Sequence, residues 1–191
     1  MTDTSGPQSG VTGSAATARG PRGPAAVEIR PARPEEHEEA GRVTRDAFAA
    51  LFGEREGEYL DRVADVAGRA GRTTVLVAVA EGRVLGSITV ELTAKVDEER
   101  ELLPGEAHLR MLGVAPDAQG RGVGEALVTA AAALARKAGK ATVTLGTMPE
   151  MTSAQRLYMR MGFREGPPVE HAPGHYHLAY EMDLESPASE R

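Results

Sequence analysis

The sequence predicts a mixed α/β fold in one domain, a mainly antiparallel sheet with flanking helices. Three observations predict it. Apolar residues recur every three to four positions over residues 34–69, the period of helices that pack by one face. The period then changes, because two β-branched runs, 73–80 and 84–92, flank the short turn Glu81-Gly82-Arg83 and read as a hairpin. Beyond residue 108, strand and helix patterns alternate, as a β–α–β crossover requires.

The elements follow in order. Residues 1–25 are rich in Ser, Thr, Gly, Pro and Ala without an apolar stretch, so a disordered tail is expected there rather than a signal peptide. The domain is expected over 26–185, with a flexible tail at 186–191. Residues 27–30 form a short strand candidate. A helix over 34–52 starts at Pro34 with Glu35, Glu36, Glu38 and Glu39 at its positive end, and a second is expected over 56–69. After the hairpin comes an irregular acidic segment, 93–106, punctuated by Pro104-Gly105. A strand over 108–114 stops at Pro116-Asp117. An Ala-rich helix over 122–137 ends near Gly139. Strand 142–147, helix 152–161, a short strand at 163–165 and a closing strand over 175–184 complete the chain.

Composition narrows the function classes. With 41% apolar and 4% aromatic residues and no Trp, the core is expected to be aliphatic. A net charge of −6, with no dense Lys/Arg block, speaks against nucleic acid as a partner. The absence of Cys excludes disulfides, thiolate metal sites and a Cys nucleophile. No apolar run reaches the ~20 residues that span a bilayer, so no membrane partner and a cytoplasmic setting are expected.

The most informative stretch is Gln119-Gly120-Arg121-Gly122-Val123-Gly124, three glycines at alternate positions directly before a helix. A helix N-terminus exposes unpartnered N–H groups and partial positive charge, and glycines let backbone approach a ligand closely. The combination suits a phosphate or pyrophosphate. It is not a P-loop, since no Lys-Ser or Lys-Thr occurs, and its third glycine is misplaced for a dinucleotide fingerprint. Taken alone, the turn could equally cap a helix.

In its setting, RMLGVAPDAQGRGVGEALV (Arg110 to Val128) resembles the central motif of the GNAT superfamily, the acyl-CoA-dependent N-acyltransferases. A strand ends in an apolar-x-Val step, then Gln/Arg-x-x-Gly-x-Gly/Ala follows, then a helix. Ala154-Gln155-Arg156-Leu157-Tyr158 and Gly162-Phe163 resemble the family's second element, and the likeness runs over about residues 27–184.

The resemblance implies the GNAT fold, acetyl-CoA as co-substrate, a primary amine as acceptor and no metal. The turn at 119–124 would bind the pyrophosphate of coenzyme A. Pantetheine would lie in a wedge between Leu112-Gly113-Val114 and Leu145-Gly146-Thr147, with Gly113 suited to a bulge or a close backbone approach. Ala154 belongs to the cofactor-facing second element. Met151 stands where many family members have an Asn that contacts the cofactor, so the chain departs from the family pattern at that cofactor-facing position.

Acyl transfer to an amine needs a base, an oxyanion donor and an acid for the leaving thiolate. By family position Tyr158 resembles the general acid, although Ala154, Leu157, Tyr158 and Met161 also form a packing face. His108 falls where many members carry the glutamate that draws off the amine's proton, with Glu106 two residues earlier as its competitor. Strict alternation would put Glu106, His108, Arg110, Leu112 and Val114 on one strand face. A solvated strand start accounts for both base candidates equally well. In this family the acceptor is selected by segments that correspond here to 34–69, 93–106 and 166–175. The acidic run Asp97, Glu98, Glu99 and Glu101 would attract a cationic amine or simply be solvated. His171, His175 and His177 lack a carboxylate at metal spacing and read as ordinary loop and strand residues. Many family members are dimers, so a homodimer is compatible with the resemblance, and no residue fixes the stoichiometry.

Overall fold

A computed structural model describes residues 26–52, 57–93, 95–97, 100–172 and 175–184, and among these it contains ten strands and five α-helices where the patterns predict seven and four. The strands are β1 (Glu28–Pro31), β2 (Thr74–Ala80), β3 (Arg83–Glu91), β4 (Lys95–Asp97), β5 (Arg100–Glu101), β6 (Glu106–Val114), β7 (Thr142–Thr147), β8 (Arg164–Glu165), β9 (Val169–Ala172) and β10 (His175–Asp183). The helices are α1 (His37–Phe52), α2 (Gly57–Ala64), α3 (Val66–Ala70), α4 (Val123–Lys137) and α5 (Thr152–Arg160). The main sheet runs β1-β2-β3-β6-β7-β10-β8, with β9 also on β10 and β4–β5 forming a separate hairpin. All its pairings are antiparallel except β6 with β7, the pair that the α4 crossover connects. The fold class is the mixed α/β, mainly antiparallel one that the sequence predicts.

Two helix layers cover the sheet. Leu127, Val128, Ala131 and Ala135 of α4 are buried against β2, β3 and β6. Helix α1 packs on β3 and β6, where Thr44 Oγ1 meets Ser87 Oγ at 2.7 Å. The core is aliphatic, with Tyr158, Phe163 and Tyr180 as an aromatic corner; Tyr158 lies 5.7 Å from Phe163 and 5.9 Å from Tyr180, centroid to centroid.

Three local expectations change. The helix expected over 56–69 is two helices, because Asp65 leaves helical geometry and its carboxylate accepts the Gly68 N–H at 2.8 Å, capping α3. That turn aims Arg69 at the sheet, where its Nε donates to Thr89 Oγ1 at 3.0 Å. The segment before β6 contains the β4–β5 hairpin, and the loop before β10 contains β9. The tails expected at 1–25 and 186–191 lie outside the described residues, as do Glu98 and Glu99 of the acidic run and the side chains of Asp97 and Glu101. The side chains of His171 and His175 lie outside them too.

Candidate active site

The centre of the sheet is where regular pairing fails. Strands β6 and β7 are in parallel register only from Glu106↔Thr142 to Leu109↔Leu145. Beyond these pairs the strands part, and Arg110–Val114 faces Gly146–Thr147 across a wedge. The wedge opens one residue later on β7 than the sequence suggested, since Leu145 still pairs with Leu109.

A bulge shapes β6 at the same point. Ser87 pairs with Gly113 and Thr89 with Arg110, so Met111 and Leu112 together oppose Ile88, and Met111 has φ +54°. The extra residue reverses the facing of everything after it. The expected single face therefore breaks. Arg110 reaches Glu91 of β3, at 3.1 Å, whereas Val114 turns toward Gly124 and the α4 side. Gly113 is explained by the neighbouring helix. A Cβ there would sit 2.6 Å from Thr44 Cα, so the close approach is that of α1.

A cavity of about 550 Å³ occupies the wedge and extends between the sheet and α1–α2. His108, Leu112, Thr147, Met151 and Tyr158 line it; Glu106, Gly113, Val114, Gln119, Gly120, Arg121, Gly122, Val123, Gly124 and Ala154 do not. Its far side is apolar: Phe48 and Tyr59 have ring centroids 6.0 Å apart, and Met111 and Met151 pack against them. Tyr158 is only 6% exposed, and burial pushes its phenol well above the ordinary tyrosine value, so it stays protonated at neutral pH. Thr147 is 4% exposed and its Oγ1 is a buried polar atom with no hydrogen-bond partner among the described residues. Such an orphan is what a bound group in the wedge would satisfy.

Glu106 and His108 stand two residues apart on β6 and differ in placement. Glu106 is 4% exposed; its Oε2 accepts the Leu103 N–H at 3.0 Å and its Oε1 accepts from Thr144 Oγ1 at 2.5 Å. His108 is half-buried on the cavity wall, with Nδ1 2.9 Å from the same Thr144 hydroxyl. The structure thus brings His108, Thr144 and Tyr158 to one cavity and keeps Glu106 behind them.

The glycine-rich turn sits at the end of β6. Pro116–Ala118 forms a 3-10 turn, and Gln119 Nε2 donates back to the Val114 carbonyl at 3.1 Å, so its side chain anchors the loop. Gly120 and Gly122 have φ +70° and +80°, with open space where a Cβ would point. Gly122 caps α4, so the N–H groups of residues 123–125 have no acceptor inside the helix. Val123 itself is buried, and only its backbone is available. A Cβ at Gly124 would meet Leu157 at 3.4 Å, an ordinary packing contact.

A second cavity, about 400 Å³, adjoins the turn and is lined by Arg121, Val123, Arg83 and Glu81. Arg83 also holds Asp117 at 2.8 Å. Sequence reasoning missed Arg83, whose turn residues Glu81-Gly82-Arg83 signal a hairpin and nothing about the distant loop the hairpin tip reaches. It also missed Thr144, an ordinary member of a Thr-Val-Thr-Leu strand.

Comparison with known proteins fits this geometry. The family model described as Acetyltransferase (GNAT) family matches residues 37–163. The mycothiol acetyltransferase of Cellulomonas flavigena is 37% identical over 109 residues, 52% of this chain and 31% of that protein. That of Pseudarthrobacter chlorophenolicus is 35% identical over 127 residues, 66% of this chain and 34% of that protein. The chain thus spans about a third of the length of the curated relatives it matches. Among solved structures, the PaiA N-acetyltransferase of Thermoplasma acidophilum in complex with coenzyme A has a TM-score of 0.63 at 18% identity, covering 83% of this chain and 99% of that one. YncA of Salmonella typhimurium with its cofactor acetyl-CoA has a TM-score of 0.63 at 19% identity, covering 87% of this chain and 98% of that one. At these identities the likeness is one of fold.

Proposed function

The chain belongs to the Acetyltransferase (GNAT) family, and from that premise we propose that it moves an acetyl group from acetyl-CoA to a primary amine by direct attack in a ternary complex. The observation that carries this reading is the wedge: two strands that stop pairing, a buried Thr147 hydroxyl without a partner among the described residues, and a positive-φ glycine turn at the end of β6. Those features fit an extended thioester with a pyrophosphate at one end.

The backbone of residues 112–114, Thr147 and Met151 would hold the pantetheine arm, with Ala154 supporting α5. The backbone of residues 119–124, with the Arg121 and Arg83 guanidiniums, would hold the phosphates. Bound there, acetyl-CoA supplies an acyl group already activated as a thioester. The chain's own residues do the rest. His108 takes the proton that the ammonium must lose before its nitrogen can attack. The bulge at Met111–Leu112 interrupts the β3–β6 ladder, and a backbone N–H there would donate to the developing oxyanion. Tyr158, kept protonated by burial, donates to the departing thiolate. The amine sheds two protons overall and the thiolate takes one, so one proton leaves to solvent.

The test is thiol release from acetyl-CoA across a panel of amines, with Tyr158→Phe alongside. Because the two curated relatives are named mycothiol acetyltransferases, the amine substrate of such an enzyme belongs on that panel. Release that depends on one amine class, with kcat about 100-fold lower in the variant and KM little changed, supports the reading. Tight acetyl-CoA binding without turnover on any amine would replace it with a non-catalytic acyl-CoA sensor.

A further inference from the structure

We propose that Thr144 and Glu106 are positioning residues that fix the tautomer of His108, holding a proton on Nδ1 so that Nε2 is the basic nitrogen. The inference deepens the reading of His108 as the base and rests on it for its catalytic meaning. Its structural part stands by itself.

The argument is a proton count. A threonine hydroxyl has one hydrogen to give and lone pairs to receive with. Among the described residues, Thr144 Oγ1 meets Glu106 Oε1 at 2.5 Å, His108 Nδ1 at 2.9 Å and the Ala107 carbonyl at 3.4 Å. A carboxylate only accepts, and hydrogen bonds to a charged oxygen are the short, strong ones. The single proton therefore goes to Glu106. Toward His108 the hydroxyl can offer only a lone pair, so the 2.9 Å contact needs the hydrogen on Nδ1. In a neutral imidazole the other nitrogen must then carry the lone pair.

The placement of Glu106 agrees with this duty. It is buried, does not line the cavity, and has its second oxygen on the Leu103 N–H at 3.0 Å. It thus orients Thr144 without touching an acceptor amine. Once Nε2 has taken a proton, the imidazolium keeps its Nδ1–H on Thr144, and the carboxylate one bond further offsets the new charge. The register makes the chain of contacts repeatable, because His108 of β6 lies directly beside Thr144 of β7 in the last stretch where the two strands still pair.

The experiment is long-range ¹H–¹⁵N correlation on ¹⁵N-histidine-labelled full-length protein without ligand, at a pH where the imidazole is neutral. The His108 signals are assigned by their loss in His108→Gln. Wild type is expected to show a protonated Nδ1 and a bare Nε2. Thr144→Ser keeps that pattern, and the isosteric Thr144→Val shifts His108 toward the Nε2–H form. In turnover, Thr144→Val lowers kcat about ten-fold or more while the KM for acetyl-CoA holds, and Thr144→Ser restores it. A wild-type spectrum with Nε2 protonated overturns the proposal, even if Thr144→Val fails to fold. An unchanged Nδ1–H in folded Thr144→Val overturns it too. An absence of turnover in wild type would count against the acetyltransferase reading alone, since the spectrum needs no substrate.

Discussion

Arg30 and Glu36 meet through two parallel contacts of 2.7 Å, joining β1 to the 3-10 turn ahead of α1. Glu36 also accepts the Arg33 N–H at 2.9 Å. The Arg30 guanidinium first, and that backbone donor after it, hold the Glu36 carboxyl down to about 2, below the ordinary value of about 4.3. The sign follows from linkage: a carboxyl whose folded pKa is depressed adds stability that is complete above its unfolded pKa and is lost as pH falls through the folded one. Glu36→Gln is therefore expected to lower the urea midpoint at pH 7, with the gap to wild type closing between about pH 4 and pH 2. A gap that persists unchanged at pH 2 would place the effect in packing instead. At this scale the sequence is uneven as a guide. The glycines at 120 and 122 are legible because positive φ at a helix start has few other causes. The pairing of Arg83 with that loop, and of Thr144 with His108, depends on which strand lies beside which, and no local pattern carries that.

Between elements, α1 and α2 approach each other closely at Gly41. A Cβ on Gly41 would overlap the Ala64 carbonyl oxygen. Helix propensity alone favours alanine there by about 1 kcal/mol, while forcing a methyl against fixed backbone costs about 1–3 kcal/mol. The methyl would meet backbone and not a flexible side chain, so Gly41→Ala is expected to destabilise by up to about 2 kcal/mol in urea unfolding. A gain in stability would show that α2 can shift freely. Such a shift would also disturb Phe48, Leu60 and Val63, the cluster behind the apolar wall of the cavity. The elements themselves were legible wherever the apolar period was long, as in α1, β2, β3 and α4. What escaped was interruption. Asp65 splits a periodic helix because a short carboxylate can cap from inside it, and the β6 bulge reverses Leu112 and Val114 although their spacing looks regular. Both depend on backbone geometry that an alternating apolar pattern does not encode.

At the scale of the molecule, the sheet is two antiparallel halves joined by four register pairs between β6 and β7. A ligand that lies in the wedge and extends to the glycine turn would touch both halves and the α4 start at once, so it would bind the folded chain and have no counterpart in the unfolded one. Ligation then adds stability by mass action, about 2.7 kcal/mol at a hundred times Kd. For a chain of this size that corresponds to a rise in Tm of roughly 5–10 °C. Coenzyme A is expected to produce that shift in a thermal melt, and Gly122→Val to abolish it, because a β-branched residue is strained at φ +80° and its side chain fills the open space over the turn. The variant melts lower by itself, so the quantity that decides is the shift on adding ligand and not the Tm. A full shift retained in Gly122→Val would move the phosphate site away from the glycine turn, whereas one lost there but retained in Thr144→Val would separate holding the co-substrate from preparing the base.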